Sequence, residues 1–229
     1  MGGLSNHQIA AILQSRHAST HSPQGHRGSG SSGPLVSPLG EAQRAKGGIS
    51  MPDRTALIPD KAIDHIIGPA SAPVVIIEYG DLECPNCRTA HGAVHQLLKR
   101  RADDVRYVFR HFPLLEVHPH AELAAEAAEV AGAQGKFWPY VDMLFEHQSH
   151  LDHAHLITYA EKLELDMLRF KSELDDHVYL QRVQEHIALG TALRVRATPT
   201  FYINGVLVDV SFGMDRLERA IDAAVAASR

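Results

Sequence analysis

A short stretch of the chain places two cysteines at the junction between a strand and a helix. The apolar run Val74–Ile77 is rich in β-branched residues and predicts a buried strand, which a Gly-Asp pair then interrupts. Helical periodicity begins at Pro85, which suits a first helical turn because its missing N–H would be unpaired there anyway. The strand therefore delivers Cys84 and Cys87 to the start of a helix.

This position favours redox chemistry at the two thiols. Unpaired N–H groups and the macrodipole at a helix start stabilise a thiolate at Cys84, and the thiolate is the nucleophilic form. The two-residue spacer Pro85-Asn86 lets the thiol of Cys87 attack the first sulfur. The alternatives are two inert core thiols and a zinc half-site, and the half-site would need two histidines from elsewhere in the chain. Cys-x-x-Cys after a strand therefore predicts a redox-active pair.

Composition limits the classes of protein that the chain can belong to. The chain has 229 residues, 45% of them hydrophobic, and two cysteines, so we expect one packed domain plus a tail. A net charge of −5 argues against a nucleic-acid-binding surface. No apolar run approaches the roughly 18 residues that a membrane span needs, and no secretion signal is visible. We therefore predict a cytoplasmic protein with no membrane span.

The N-terminal part differs in composition from the rest. Residues 1–58 are rich in Gly and Ser, and they predict a disordered tail or linker. Residues 28–33 match the G-x-G-x-x-G pattern, but no predicted strand precedes them and no predicted helix follows. We interpret this match as part of the linker.

After the helix that carries the cysteines, the pattern predicts further elements in a defined order. Val105–Arg110 predicts a second strand, which should lie parallel to the first one. Residues 119–193 are helical in pattern, with Asp152 and Asp166 as predicted N-caps. Asn204-Gly205 between two apolar runs indicates a β-hairpin, and an amphipathic helix follows it.

The order β-α-β, helical insertion, β-β-α resembles the thioredoxin fold, and the insertion resembles that of the DsbA family of thiol-disulfide oxidoreductases. From about Ile63 to Val225 the chain is similar to bacterial DsbA-like proteins of the "thioredoxin-like, subgroup four" type. The similar stretches are Gly68–Pro73, Phe109–Leu114, Gly135–Trp138 and Ala197–Phe201.

The resemblance implies an α/β, thioredoxin-like fold with an all-helical insertion between its halves. Residues 59–115 would form the first half with the Cys84-Pro85-Asn86-Cys87 motif, and residues 116–194 the helical insertion. Residues 195–229 would form the second half, with the cis-proline loop, the hairpin and the C-terminal helix.

The same resemblance assigns roles to particular residues. Cys84 would be the exposed attacking cysteine, and Cys87 the buried resolving cysteine. Thr198-Pro199 would be a cis-proline loop that binds the backbone of the substrate. Glu78 would be a buried acid that relays a proton to or from Cys87. By themselves, the residues leave open that Glu78 is a satisfied core carboxyl and that Thr198-Pro199 is an ordinary turn.

The implied protein is an enzyme that exchanges disulfides with protein substrates, using the Cys84–Cys87 disulfide and no separate cofactor. Its partners would be protein thiols and disulfides and an unidentified redox partner, and we expect a monomer. Asn86 stands where strongly oxidising relatives have histidine, so the direction of exchange stays open. Because Asp81 and Glu83 disfavour a nearby anion, we predict that Cys84 is only moderately acidic.

Two alternatives remain open. One is a non-catalytic thioredoxin-like binding or chaperone module, and the other is a metal- or glutathione-linked detoxification protein on the same fold. The chain has 16 histidines, including His118, His120, His150, His153 and His155. We interpret these as surface residues and predict no metal site.

Overall fold

The computed structural model describes residues 54–228, with side chains from Ala56 onward. After a 3₁₀ turn at Arg54–Leu57, five strands and seven helices follow in this part of the chain. The strands are β1 (His65–Ile67), β2 (Val74–Gly80), β3 (Val105–His111), β4 (Thr200–Ile203) and β5 (Val206–Val208). The helices are α1 (Pro85–Arg100), α2 (Ala121–Ala133), α3 (Phe137–Glu146), α4 (His153–Lys162), α5 (Met167–Asp175), α6 (Leu180–Ala192) and α7 (Asp215–Ala227).

The strands form one mixed sheet in the order β1-β3-β2-β4-β5. Strands β2 and β3 are parallel, with Val74 opposite Val105 and Gly80 opposite His111, and the other neighbouring pairs are antiparallel. The predicted β-α-β unit, helical insertion and β-β-α unit are thus confirmed. Strand β2 is the middle strand of the sheet, and both cysteines and α1 follow its carboxyl end.

Local signals in the sequence explain where several elements begin and turn. The carboxylates of Asp152 and Asp166 cap α4 and α5, as predicted, because they accept hydrogen bonds from backbone N–H groups of the first turn. At the hairpin, Asn204 and Gly205 adopt φ values of 47° and 81°, the left-handed conformation that Asn-Gly favours. Helix α1 buries one apolar stripe against the sheet, including Ala90, Val94, Leu97 and Leu98.

Ordered structure begins before the predicted boundary at residue 59. The Ala56 carbonyl accepts a hydrogen bond from Arg110, whose buried guanidinium also makes two 2.8 Å contacts with the carboxylate of Asp64. A buried guanidinium needs such partners, so the segment around Ala56 is held by the core. The predicted tail up to residue 53, with its G-x-G-x-x-G match, lies outside the described residues.

The helical insertion packs against strand β3, where Trp138 and Phe145 of α3 contact Tyr107 and Phe109. Helix α2 is rich in alanine and packs against α3, α5 and α6, because small side chains allow close approach of helices. Among residues 54–228, no helix combines the length and apolar character that crossing a bilayer requires.

Candidate active site

Cys84 is the N-cap residue of α1, and Pro85 occupies the first helical turn. The thiol of Cys84 donates a 3.4 Å hydrogen bond to the backbone carbonyl of Thr198. The sequence analysis predicted an exposed Cys84, but only 6% of the residue is accessible, because the Thr198 loop lies against the sulfur. Pro85 and Asn86 are exposed beside it.

The Cys84 thiol is more acidic than predicted. A hydrogen bond from Cys87 outweighs the burial that opposes ionisation, and backbone N–H groups of Cys87 and Asn86 assist, so that the pKa of Cys84 falls to about 5. The N–H groups belong to the first turn of α1, where they have no helical partner. Main-chain donors and the second thiol therefore stabilise the thiolate without a charged spacer residue.

The two acidic residues before Cys84 accept hydrogen bonds from the segment between β3 and α2. Buried Asp81 accepts 2.8 Å hydrogen bonds from the backbone N–H of Leu114 and from Nδ1 of His118. Glu83 accepts hydrogen bonds from the backbone N–H and Nδ1 of His120, at 2.8 and 3.0 Å. The prediction that these carboxylates would keep Cys84 only moderately acidic is therefore wrong, because donors compensate both of them.

Cys87 lies three residues further along α1 and is fully buried. Its sulfur accepts a 3.4 Å hydrogen bond from the backbone N–H of Asp81. Burial, the hydrogen bond to Cys84 and the charge of Glu78 raise the pKa of Cys87 far above that of a free thiol. Cys87 therefore needs a proton acceptor before it can act as a nucleophile.

Glu78 is buried on β2, two residues before the strand ends. Burial raises its pKa to about 8, although Tyr107 on β3 donates a 2.7 Å hydrogen bond to Oε2. Glu78 and Cys87 are both buried, and the charge of Glu78 contributes to the raised pKa of Cys87. A carboxyl with this pKa can accept or give a proton near neutral pH.

The loop before β4 completes the surroundings of Cys84. The peptide bond between Thr198 and Pro199 is cis, and Thr198 is buried with its carbonyl at the sulfur of Cys84. The Thr198 hydroxyl has no hydrogen-bond partner among the described residues. The sequence analysis had placed this loop at the thiol site, and the Thr198 carbonyl lies 3.4 Å from the sulfur of Cys84.

A cavity of about 630 Å³ opens beside the start of α1. Its lining includes Glu83, Pro85 and Arg88 from the motif region and Gln148 from the segment after α3. The Gln148 amide donates 2.9 Å hydrogen bonds to the carbonyls of Leu82 and Cys84. The helical insertion thus holds the backbone of the thiol loop in place.

Sequence reasoning missed three contributors to this site. Tyr107 belongs to an apolar strand, and no pattern there indicates that its hydroxyl faces Glu78. Gln148 lies between two helices, where a polar residue is expected in any case. Asp81 was interpreted only as a strand breaker and as an unfavourable charge, although an aspartate directly after a buried strand is a common loop acceptor.

Comparison with known proteins agrees with this arrangement. A family model described as Thioredoxin matches residues 61–223. The chain therefore belongs to the thioredoxin family.

Solved structures with DsbA-like folds give a finer comparison. BdbD from Bacillus subtilis is 22% identical and aligns with a TM-score of 0.65, over 76% of this chain and 96% of its own. A thioredoxin-like oxidoreductase from Silicibacter pomeroyi is 26% identical, with a TM-score of 0.64 over 75% and 97% of the two chains. Wolbachia pipientis alpha-DsbA1 is 20% identical, with a TM-score of 0.66 over 76% and 96%. The chain thus shares the fold of these structures, and the predicted helical insertion is present in it.

The curated relatives carry the names of Na(+)/H(+) antiporters. The Na(+)/H(+) antiporter NhaA 1 of Salinispora arenicola is 42% identical over 198 residues, which are 85% of this chain and 30% of the antiporter. The Na(+)/H(+) antiporter NhaA of Herminiimonas arsenicoxydans is 41% identical over 74% of this chain and 26% of its own length. The chain thus spans less than a third of the length of these relatives.

Proposed function

We propose that the protein is a thiol-disulfide oxidoreductase that exchanges disulfides with cysteines of other proteins. The observation that carries the proposal is the contrast between two thiols on one helix. The pKa of Cys84 is lowered to about 5, whereas burial raises that of Cys87. A thiolate nucleophile beside a protonated partner is what a two-step exchange requires.

The exchange proceeds by two displacements at sulfur. The thiolate of Cys84 attacks a substrate disulfide, a Cys84–substrate S–S bond forms, and the other substrate sulfur leaves as a thiolate. Cys87 then loses its proton and attacks the sulfur of Cys84, which releases the second substrate thiolate and leaves a Cys84–Cys87 disulfide. The substrate gains two electrons and the protein loses two; the reverse sequence oxidises a substrate dithiol.

Glu78 would serve as the proton acceptor for Cys87 in this scheme. Because its pKa is about 8, a minor fraction of Glu78 is ionised at neutral pH; this fraction takes the proton as Cys87 attacks, and Glu78 returns the proton when the disulfide is reduced. Glu78 would act through Cys87 and not on the substrate. Tyr107 would hold the carboxyl in place through its 2.7 Å hydrogen bond.

The Thr198-Pro199 loop would bind the substrate chain next to Cys84. Its contact with the sulfur places backbone groups where an extended peptide can pair with them. The cavity of about 630 Å³ beside the start of α1 offers room for substrate side chains. The Cys84 sulfur, which is nearly covered in the free protein, would become reachable when the substrate displaces the Thr198 contact.

An insulin-reduction assay with dithiothreitol tests this proposal. We expect the wild-type chain to accelerate insulin precipitation, and Cys84→Ser to reduce the rate to that of dithiothreitol alone. Leu168→Ala is a suitable control because Leu168 is 88% exposed on α5 and belongs to no described contact at the thiols. A wild-type rate equal to the uncatalysed rate would instead support a binding or chaperone module.

The direction of exchange in the cell would follow from the reduction potential of the Cys84–Cys87 pair relative to that of its compartment. A strongly stabilised thiolate favours the reduced protein and hence an oxidising disulfide. Equilibration with glutathione buffers of known ratio measures this potential directly.

A second function is favoured by the curated relatives. We propose that the chain acts together with a Na(+)/H(+) antiporter, as a thioredoxin-like unit whose thiol state affects transport. The support is the 42% identity to a segment that makes up 30% of such an antiporter. The test is Na⁺-dependent proton movement in vesicles that hold an antiporter of the same organism, with added chain either oxidised or reduced. Transport that is equal with the oxidised chain, with the reduced chain and without any added chain would contradict this function.

A further inference from the structure

Two histidines and an aspartate form a second polar cluster on the helix that carries the thiols. His91 and His95 lie one turn apart on α1, and their rings are 4.2 Å apart. The Nε2 atoms of these two residues lie 2.8 and 3.1 Å from Oδ1 of Asp142 on α3. All three possible ligand atoms lie within 4.8 Å of one another.

The cluster has unused binding capacity. Only 6% of the Asp142 side chain is exposed, and its Oδ2 atom has no hydrogen-bond partner among residues 54–228. Nδ1 of His95 is also buried without a partner in this part of the chain. Buried polar atoms are normally paired, so an unpaired carboxylate oxygen indicates a site for a further group.

The cluster offers the donor set of a cation site. Asp142 contributes a buried carboxylate, and both imidazoles direct an Nε2 atom to its Oδ1 atom. An ion that enters between these atoms replaces the hydrogen-bonding protons, so that each imidazole binds through the lone pair of Nε2 and carries its proton on Nδ1.

We propose that His91, His95 and Asp142 bind a divalent first-row transition-metal ion such as Zn²⁺. Two imidazoles at i and i+4 of one helix and a carboxylate from its neighbour are ligands of the type that zinc prefers. Tetrahedral bonds of about 2.0–2.1 Å separate ligand atoms by roughly 3.3–3.4 Å. The observed N–O distances of 2.8 and 3.1 Å need to widen by only a few tenths of an ångström.

The side chains of His91 and His95 are each 10% exposed, so an ion, and a water molecule as its fourth ligand, would enter along these two side chains. Glu146, one turn after Asp142, is exposed, and its charge acts on His91. A bound ion would join α1 to α3, and therefore would hold the thiol-bearing helix to the insertion.

Another cluster of the same residue types is less suited to an ion. His111, Glu129 and His186 are also close together, and all three are buried. However, the Glu129 carboxylate already accepts hydrogen bonds from His65 and His111, at 2.9 and 3.1 Å. Nδ1 of His186 accepts a hydrogen bond from the backbone N–H of His111, and Nε2 of His186 donates one to the Ile63 carbonyl. An ion would have to break bonds there.

Calorimetric titration of the oxidised full-length chain with Zn²⁺ tests the proposal. In the Cys84–Cys87 disulfide no thiolate competes for the ion, so the result is independent of the redox proposal. We expect one tight site per chain and a rise in the unfolding temperature with Zn²⁺. His95→Gln and Asp142→Asn should each weaken binding at least 10-fold, the lower bound for losing even an outer partner of a metal ligand.

The matched control is His153→Gln, because His153 also pairs with an aspartate, Asp175, at 2.9 Å but is exposed. It should bind Zn²⁺ as the wild type does. Circular dichroism of each variant without Zn²⁺ shows whether it is folded, and Co²⁺ spectra of the wild type report nitrogen and oxygen ligands without any variant. Wild-type affinity in folded His95→Gln, or no tight site in the oxidised wild type, would overturn the proposal.

Discussion

The hydroxyl of Tyr107 donates a 2.7 Å hydrogen bond to Oε2 of Glu78 across two parallel strands. Glu78 lies opposite Phe109 on β3, so that Tyr107, two residues earlier, faces the same side of the sheet. This bond stabilises the charged carboxylate, but the burial of Glu78 is the larger effect and raises its pKa to about 8. Protonated Glu78 therefore predominates at neutral pH.

Glu78→Gln should change how stability depends on pH. The folded protein keeps the Glu78 proton up to about pH 8, whereas an ordinary glutamate loses it near 4.5. Unfolding between these values releases a proton, so Glu78 makes the free energy of unfolding fall as pH rises, by at most about 1.4 kcal/mol per unit. The variant should lack this slope. Urea unfolding from pH 5 to 8 measures it, and parallel curves for variant and wild type would contradict the raised pKa.

Tyr107→Phe keeps the Glu78 carboxyl but removes its hydrogen-bond donor. Removing the donor takes away an interaction that lowers the pKa of Glu78, so this pKa should rise further and the pH-dependent loss of stability should extend above pH 8. We expect a loss of roughly 1 kcal/mol at pH 7. Infrared absorption of the buried carboxyl against pH checks the shift. Tyr159→Phe, which removes a hydroxyl bonded to the His150 carbonyl, should leave Glu78 unchanged.

Most of the fold was predictable because its signals are local. Strand β2 is a run of β-branched residues, helix α1 has a regular apolar stripe, and Asn204-Gly205 fixes the hairpin. Each of these depends on neighbours in sequence, which the chain alone displays. The confirmed order of elements then places Cys84 at the carboxyl end of the central strand.

The electrostatics of the site were not predictable because they depend on distant partners. Asp81 is compensated by Leu114 and His118, which lie 33 and 37 positions away. Likewise, Asp142 meets His91 across 51 positions, so a search for metal ligands along one helix does not find it. The stabilisation of the Cys84 thiolate at a helix start is local and was predicted, whereas the compensation of Asp81 follows from tertiary contacts that no sequence pattern specifies.

Cys87→Ser should trap substrates on Cys84. If Cys84 is the thiolate that attacks, then without Cys87 the mixed disulfide has no resolving thiol and accumulates. Cys84→Ser should form little adduct because the pKa of Cys87 is raised by burial. Nonreducing electrophoresis with a disulfide-containing substrate counts the adducts. Trapping by Cys84→Ser but not by Cys87→Ser would reverse the proposed roles.

Asp81→Asn should destabilise the thiol loop. The buried carboxylate accepts hydrogen bonds from the backbone N–H of Glu83 and from Leu114 and His118. An amide can present one oxygen only, so at least one donor loses its partner, at a cost of about 1–3 kcal/mol. Denaturant unfolding measures the loss. Asp166→Asn is the matched control, since asparagine caps a helix about as well as aspartate.

Asn86→His should make the disulfide a stronger oxidant. Asn86 is exposed in the spacer beside Cys84, and its amide adds no charge there. A histidine at this position is charged below about pH 6.5, which includes the range in which Cys84 titrates, with its pKa of about 5. The imidazolium should lower the pKa of Cys84 further. Since this stabilises the reduced form, each unit fully transmitted is about 1.4 kcal/mol, or roughly 30 mV for a two-electron couple.

The two quantities can be measured on the same samples. Thiolate absorbance against pH gives the pKa of Cys84, and equilibration with glutathione gives the potential, for wild type, Asn86→His and the neutral control Asn86→Gln. The glutamine variant should match the wild type, because its side chain also carries no charge. If the histidine variant matches it as well, the spacer has no influence on the thiolate. The acidity of Cys84 would then rest on Cys87, on Thr198 and on the backbone N–H groups at the start of α1.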